Sequence, residues 1–184
     1  MTLRLRPFDA ADLAFVAALA RDERVTRFVG DGRPWSAEQI ADRSRPALRR
    51  DPTDEVGAAR WFVAVEAAGE DDEEEGREVG LFVTTRREHS VEVGYWVAPP
   101  HWGRGVAGAM LDRALEAVAG LYGPLPLSAR VAPDNAASVR ALTRRSFEPQ
   151  GHHEGLDHYV RGARDARDGS TAPRGSSSSG GARR

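Results

Sequence analysis

Cysteine and lysine are both missing from this chain of 184 residues, so arginine supplies all 26 of its basic side chains. Without cysteine the chain can form no disulfide, no thiolate metal site and no catalytic thiol. We attribute the exclusive use of arginine to the codon bias of a GC-rich genome and draw no functional conclusion from it.

Long apolar runs are missing as well. No stretch approaches the roughly 18 apolar residues that a membrane-spanning helix needs. The first residues carry Arg4 and Arg6 where a signal peptide would have an apolar core. The formal net charge of −2 provides no general attraction to nucleic acid or to an anionic membrane. We therefore expect a cytoplasmic protein that has neither nucleic acid nor membrane as a partner.

Composition divides the chain into two parts. Residues 1–161 have the length and the apolar patterning of one domain with its own core. Glycine, serine, arginine and aspartate dominate residues 162–184, and we expect this tail to be disordered because it buries too little apolar surface. The acidic run Glu70–Glu75 is expected to be a solvated loop, with attraction of basic substrates as the alternative.

Local patterns predict the helices and strands that lie outside residues 91–121. Alternation and turn residues favour strands over 2–7, 60–67, 79–86 and 125–132, and a final hairpin over 151–161. One helix should begin at Asp9 and end near Asp22. A second should begin with a capping box between Ser36 and Gln39 and should bend or end near Pro46. Residues 23–34, between the two helices, are expected to be irregular.

The clearest organisation lies between Val91 and Leu121. The first eight residues of this stretch alternate as in a strand, and apolar residues from Val106 onward recur at helical spacing. The turn between them contains Gly103 and Gly105, which permit backbone angles that other residues avoid. A strand, a glycine turn and a helix together present amide hydrogens to an anion. An ordinary strand-to-helix turn has the same pattern, so the pattern alone leaves both interpretations open.

Two common phosphate-binding motifs do not fit this turn. A P-loop would place lysine and then serine or threonine after the glycines, and neither follows here. The triplet Gly103-Arg104-Gly105 lacks the third glycine of a dinucleotide fingerprint, and no second βαβ unit follows it. A nucleotide-binding domain that uses the turn in another way remains an alternative.

The run Trp102-Gly103-Arg104-Gly105-Val106-Ala107 resembles the pyrophosphate motif Gln/Arg-x-x-Gly-x-Gly/Ala of the GNAT superfamily of acyl-CoA N-acyltransferases. Gly105 and Ala107 match the motif, and Trp102 replaces its polar first residue. The phrase EVGYWV over 92–97, followed by Trp102 to Gly105, resembles the branch that contains the ribosomal-protein N-terminal acetyltransferases. The resemblance covers about residues 1 to 160.

This resemblance implies an α+β fold. Its central sheet would have about six or seven mostly antiparallel strands, helices on both faces, and one parallel strand pair splayed to admit coenzyme A. The implied reaction moves an acetyl group from acetyl-CoA to a primary amine by direct attack in a ternary complex. The amine would be a protein N-terminal α-amine or a small-molecule amine. A catalytically silent acyl-CoA-binding sensor or scaffold is the alternative, and the oligomeric state, monomer or homodimer, stays open.

The cofactor contacts that the resemblance implies come from the strand end, the glycine turn and a second motif. They are Val97, Trp102, Gly103, Arg104, Gly105, Val106, Ala107, Gly108 and Asn135.

The second motif is Asn135-x-x-Ser138, which opens a further helix. Taken by itself, Asn135 is a good helix N-cap. The resemblance implies in addition that its side chain bonds the pantetheine or adenylate arm of the cofactor. The family usually has glycine just before the phenylalanine that follows this helix, whereas Ser146 precedes Phe147 here.

Amine acylation sets three chemical requirements. A base must take the amine proton, and Glu92 is the candidate, with an exposed strand glutamate or an ion pair as the alternative interpretation. The tetrahedral oxyanion needs a donor, for which the backbone N–H of Val97 is expected. The leaving thiolate needs a proton, for which Ser138 is the candidate.

Other titratable side chains near the final hairpin are alternatives for the thiolate proton. They are His152, His153, His158 and Tyr159. We expect no metal site there, because the histidine spacing is irregular and no carboxylate pattern accompanies it.

Overall fold

The structure is a computed structural model that describes residues 2–67 and 76–163. The predicted acidic loop over 70–75 and all but the first two residues of the predicted tail lie outside these ranges.

Seven strands form one sheet in the order β1-β2-β3-β4-β5-β7-β6. Their bounds are β1 Leu3–Pro7, β2 Ala59–Glu66, β3 Arg77–Arg86, β4 Val91–Val97, β5 Leu127–Val131, β6 Glu148–His153 and β7 Leu156–Arg161. Every neighbouring pair is antiparallel except β4 and β5, which are parallel because a helix connects them. The predicted fold class is confirmed.

Within residues 2–67 and 76–163, five α-helices cover the two faces of the sheet. Their bounds are α1 Leu13–Arg21, α2 Glu23–Thr26, α3 Ala37–Arg49, α4 Val106–Tyr122 and α5 Ala136–Thr143. One core joins α4 and α5 to the sheet, and a second core joins α1, α2 and α3 to the opposite face. The alternation of β4 divides its side chains between them, since Val93 belongs to the first core and Trp96 to the second. Among the described residues, none of the helices combines the length and the apolar character needed to cross a bilayer.

The N-terminal helices follow the predicted caps, with two corrections. Asp9 caps a short 3-10 turn that leads into α1, and the Ser36–Gln39 capping box is present at the start of α3. Residues 23–34 are not wholly irregular, since α2 forms there. The helix does not end at Pro46, because α3 continues to Arg49, and the other expectation, a bend at Pro46, stays a prediction. Proline removes one helical donor, and burial of the neighbouring Ala47 against the sheet holds the helix together.

A buried carboxylate joins the first strand to the first helix. Asp12 is only 4% exposed and accepts two hydrogen bonds from Arg6, at 2.6 and 3.0 Å, and one from the amide of Asp9. Burial raises the pKa of Asp12, but the bonds from Arg6 and Asp9 outweigh it and the net shift is downward. Burial, and then the charge of Asp12, raise the pKa of the neighbouring Glu78. The folded state therefore holds Asp12 as an anion on Arg6.

We expect Asp12→Ala to lower the free energy of unfolding by about 2–3 kcal/mol at pH 7, because Arg6 loses its buried partner. The pKa of Asp12 is lower in the folded than in the unfolded state. Its contribution is therefore complete at neutral pH and is lost as the pH falls below about 4. Urea unfolding at pH 7 and pH 3 measures both effects.

The matched control is Asp42→Ala, which removes an exposed carboxylate that pairs with Arg45 on α3. It should cost less than about 1 kcal/mol at either pH. Equal costs for the two variants at pH 7 would contradict the role assigned to Asp12.

Candidate active site

A cavity of about 740 Å³ opens where β5 diverges from β4. The two strands pair only at their beginning, through Val91 with Leu127 and Glu92 with Ser128. Along its other edge β5 pairs with β7 over its whole length. One wall of the cavity is therefore the open backbone edge of β4, and the start of α4 forms another.

The backbone of β4 directs the amide of Val97 towards this gap. The amide of Val91 donates towards β5, and the amide of Ala98 donates towards β3. Alternate residues of a strand direct their N–H groups to the same edge, so the N–H of Val97 faces the side of β5, as that of Val91 does. The carbonyl of Val97 is engaged, because it accepts a hydrogen bond from the indole Nε1 of Trp102 at 2.7 Å.

The glycine turn leaves further amides at the cavity. Gly103 and Gly105 have φ angles of +73° and +80°, and a Cβ at either residue would meet open space. Backbone conformation, and not packing, therefore requires glycine at these two positions. The first helical bond runs from the amide of Ala109 to the carbonyl of Gly105, which has no side chain to cap the helix. The amides of residues 106–108 precede that bond and have no helical acceptor.

Most of the predicted site residues line this one cavity. They are Glu92, Val97, Trp102, Gly103, Gly105, Val106, Ala107, Asn135 and Ser138.

Arg104 and Gly108 are the predicted cofactor contacts that do not line it. The guanidinium of Arg104 bonds a carboxylate oxygen of Glu66 at 2.7 Å and the ring of His101 at 3.0 Å. The carbonyl of Gly108 accepts from Arg145 at 2.7 Å, and a Cβ on Gly108 would lie 2.9 Å from the same guanidinium nitrogen. Glycine at 108 thus permits close packing of Arg145. The backbone amide of Arg104 lies in the glycine turn, and that of Gly108 lies in the first turn of α4.

The second motif forms the opposite side of the gap. The side-chain oxygen of Asn135 accepts from the amide of Ser138 at 3.1 Å and caps α5, as the capping interpretation predicted. Because that oxygen is engaged, the amide nitrogen of the side chain is the group left for a ligand. Ser138 lies on the first turn of α5 and lines the cavity beside it.

Glu92 is held by two arginines. Arg130 donates to one carboxylate oxygen at 2.8 and 3.0 Å, and Arg87 donates to the other at 2.9 Å. The structure therefore contains the ion pair that was the alternative interpretation of Glu92. Its side chain is 23% exposed and lines the cavity, so a substrate amine or a water can still approach it.

Tyr95 was missed by sequence reasoning. This residue lines the cavity, and its buried hydroxyl has no partner in hydrogen-bond geometry among the described residues. Burial raises the pKa of this hydroxyl; the Ser138 side chain, which is close to it but outside hydrogen-bond geometry, and the charge of Arg145 oppose the shift without cancelling it. The signal available was the alternation of β4, which places Tyr95 on the buried face, where a tyrosine hydroxyl normally finds a partner. Because this buried donor has no acceptor among the described residues, it is a group that a ligand in the gap could satisfy.

The alternative residues of the final hairpin lie elsewhere. His152 pairs with Asp157 at 2.9 Å, and the rings of His153 and His158 contact each other. Tyr159 is buried in the first core. None of the four alternatives lines the cavity. Within residues 2–67 and 76–163, no cluster of three or more metal-ligating side chains is present.

Comparison with known proteins gives matches over most of the chain. The family model of the acetyltransferase (GNAT) domain matches residues 2–148. An uncharacterized N-acetyltransferase of Bacillus subtilis (strain 168), YoaA, is 26% identical over 151 residues, which are 81% of this chain and 81% of that protein.

Solved structures have the same fold. The spermidine N-acetyltransferase from Vibrio cholerae, in complex with CoA and spermine, superposes with a TM-score of 0.68 at 20% identity, covering 86% of this chain and 92% of that one. The aminoglycoside acetyltransferase AAC(6')-Ib, in complex with ribostamycin and coenzyme A, superposes with a TM-score of 0.72 at 14% identity, covering 94% and 100%.

These matches identify the superfamily and do not single out the ribosomal-protein branch. Because the family model spans well over half of the sequence, the chain belongs to the GNAT acetyltransferase family and is an acetyl-CoA-dependent acyltransferase.

Proposed function

We propose that the protein moves an acetyl group from acetyl-CoA to a primary amine by direct attack in a ternary complex. The observation that carries the proposal is the gap between β4 and β5, bordered by backbone amides that have no acceptor in the strand or helix. The amine is that of a small molecule or of a protein N-terminus. The second choice comes from the resemblance to the ribosomal-protein branch.

In this proposal the diphosphate of acetyl-CoA is held by the amides of residues 103–108. Three features support this placement: the two positive-φ glycines, the open space beside them, and the uncapped start of α4. The partial positive charge of a helix N-terminus favours an anion there. The side-chain nitrogen of Asn135 would bond the pantetheine arm, and Trp102 would cover the cofactor from the solvent side.

Residues near the acetyl group of the bound cofactor would then stabilise the charges that form in the reaction. The N–H of Val97 would donate to the oxyanion of the tetrahedral intermediate. The hydroxyl of Tyr95 would donate to the departing thiolate, together with Ser138. Its raised pKa suits this role, because the hydroxyl stays protonated at neutral pH.

Glu92 would act on the amine through its charge and through bound water. Two arginines already compensate the carboxylate, so we expect a smaller effect from Glu92→Gln than from changes in the glycine turn. Positioning alone can supply roughly 7–11 kcal/mol of barrier reduction when two reactants are held in line. The cofactor cradle therefore contributes more to the rate than either Glu92 or Ser138.

We expect Gly105→Glu to weaken acetyl-CoA binding by more than about 100-fold, because its carboxylate would occupy the phosphate position. Isothermal titration calorimetry measures the affinity. The control is Gly120→Glu, which adds a carboxylate to open space near the other end of the same helix. Unchanged affinity in Gly105→Glu, with a normal unfolding curve, would refute the placement of the diphosphate.

We expect Tyr95→Phe to lower kcat about 10- to 100-fold while acetyl-CoA affinity stays within about twofold, because only a proton donor is lost. Steady-state thiol release with a saturating amine measures kcat. The control is Tyr122→Phe, which removes a hydroxyl that bonds Thr84 at 2.7 Å against the same core. An equal effect of the two substitutions on kcat would contradict the role of Tyr95.

Turnover itself tests the reaction class. Incubation with acetyl-CoA and a panel of amines and N-terminal peptides, followed by mass spectrometry, should show an acceptor that gains one acetyl group with equimolar thiol release. Tight acetyl-CoA binding without transfer to any acceptor would favour the silent sensor or scaffold instead.

A further inference from the structure

The part of the cavity on the face of α1, α2 and α3 is strongly cationic. Its described lining includes five arginines and one carboxylate, which are Arg24, Arg27, Arg43, Arg87, Arg130 and Glu92. The remaining wall on this face is mainly apolar and includes the aromatic side chains of Phe28, Trp35, Trp61 and Trp96. An anion that reaches this region therefore meets positive charge beside an apolar surface.

Among the residues that the structure describes, ion pairs leave two of the five arginines without a carboxylate partner. Arg24 is paired with Asp22 at 2.6 Å, and two other arginines share Glu92. Arg27 and Arg43 have no carboxylate within 4.0 Å among the residues that the structure describes.

Aromatic rings hold these two guanidinium groups in place. That of Arg27 lies 4.4 Å from the ring centre of Phe28, and that of Arg43 lies 4.4 Å from the ring centre of Trp35. Stacking of this kind orients a guanidinium and leaves its N–H groups free to bond a carboxylate or a phosphate.

The position of these arginines separates them from the proposed diphosphate site. Trp35, on which Arg43 stacks, packs against Trp96 in the second core, at a ring separation of 4.8 Å. The helix that starts at the glycine turn packs in the first core, on the other face of the sheet. The arginines on the face of α1, α2 and α3 are therefore available to bind the acceptor, because the cofactor diphosphate is proposed to bind on the other face.

We propose that the acceptor is a small primary amine that also carries a carboxylate or a phosphate, with an apolar or aromatic body against the tryptophans. This inference rests on the proposed acetyl transfer. A polyamine would place several positive charges against Arg27 and Arg43, and like charges in a cleft repel. An anionic group would instead form charge-assisted hydrogen bonds with these arginines and bring its amine to the sheet near Glu92.

Matched acceptors test the charge requirement directly. Phenylalanine, phenylalaninamide and phenethylamine share the same phenylethyl group. Of the three, only phenylalanine carries a carboxylate. Phosphoethanolamine and ethanolamine form the phosphate pair, and spermidine represents the polyamines. Phenylalaninamide has the least basic amine of the three, so a larger fraction of it is in the neutral, nucleophilic form. A preference for phenylalanine over phenylalaninamide therefore cannot come from the fraction of neutral amine. We expect kcat/KM to be at least about tenfold higher for an acceptor that carries an anionic group than for the matched acceptor that lacks it.

Arginine variants locate the requirement. We expect Arg43→Met to abolish most of the preference for the anionic acceptor while leaving acetyl-CoA affinity unchanged, because methionine keeps a long side chain over Trp35 without the charge. Arg27→Met should do the same, and it provides a second test if one variant does not fold. The control is Arg45→Met, which lies on the same helix, pairs with Asp42 and does not line the cavity.

The outcomes are distinguishable. A preference for anionic acceptors that both lining variants lose and the control keeps supports the inference. Faster transfer to spermidine, or to the matched acceptors that lack an anionic group, overturns it and leaves acetyl transfer to amines intact. Acetyl-CoA binding without transfer to any amine overturns the proposed function and, with it, this inference.

Discussion

The structure depends on one interruption of hydrogen bonding, the early end of pairing between β4 and β5. Parallel strands that are joined by a helix normally continue their ladder, and here it stops after Glu92 and Ser128. The interruption leaves part of the β4 edge without a strand partner among the described residues, which costs free energy unless another molecule supplies the missing hydrogen-bond partners. The uncapped start of α4 adds amides to the same opening. An extended, polar cofactor bound in the gap would account for both features, because it would supply hydrogen-bond partners to the edge of β4 and to the start of α4.

Strand alternation places different side chains of β4 on the two sides of that opening. Along β4 the odd-numbered side chains face α4 and α5, and the even-numbered ones face the opposite helices. Tyr95 therefore reaches the region of Ser138, whereas Glu92 reaches the arginines of the other face. A thioester held in the gap would have a proton donor on one side and the amine on the other. One residue of register shift in β4 would exchange these two faces and remove the arrangement.

The sequence was most informative where the causes are local. The strand alternation, the Ser36–Gln39 capping box and the helix cap at Asn135 depend on neighbouring residues, and the structure confirms them. The four-residue helix α2 has too few turns to produce a periodic pattern. The course of α3 beyond Pro46 depends on packing against the sheet, which a local rule does not include.

The site was less predictable because its side chains are paired by distant parts of the chain. The glycine turn itself could be read from the sequence, since positive φ angles favour glycine. The side chain of Arg104 is engaged by Glu66 from β2, and Glu92 is engaged by Arg130 from β5. Neither contact follows from motif spacing. That Arg27 and Arg43 have no carboxylate partner within residues 2–67 and 76–163 becomes visible only when the ion pairs around the cavity are known.

A crystal structure of the protein with bound coenzyme A tests the central claim most directly. The account predicts that diphosphate oxygens lie within hydrogen-bond distance of amides between residues 103 and 108, and that the pantetheine arm runs along the open edge of β4 past Val97. A complex in which the diphosphate lies elsewhere, with β4 and β5 closed together, would contradict it.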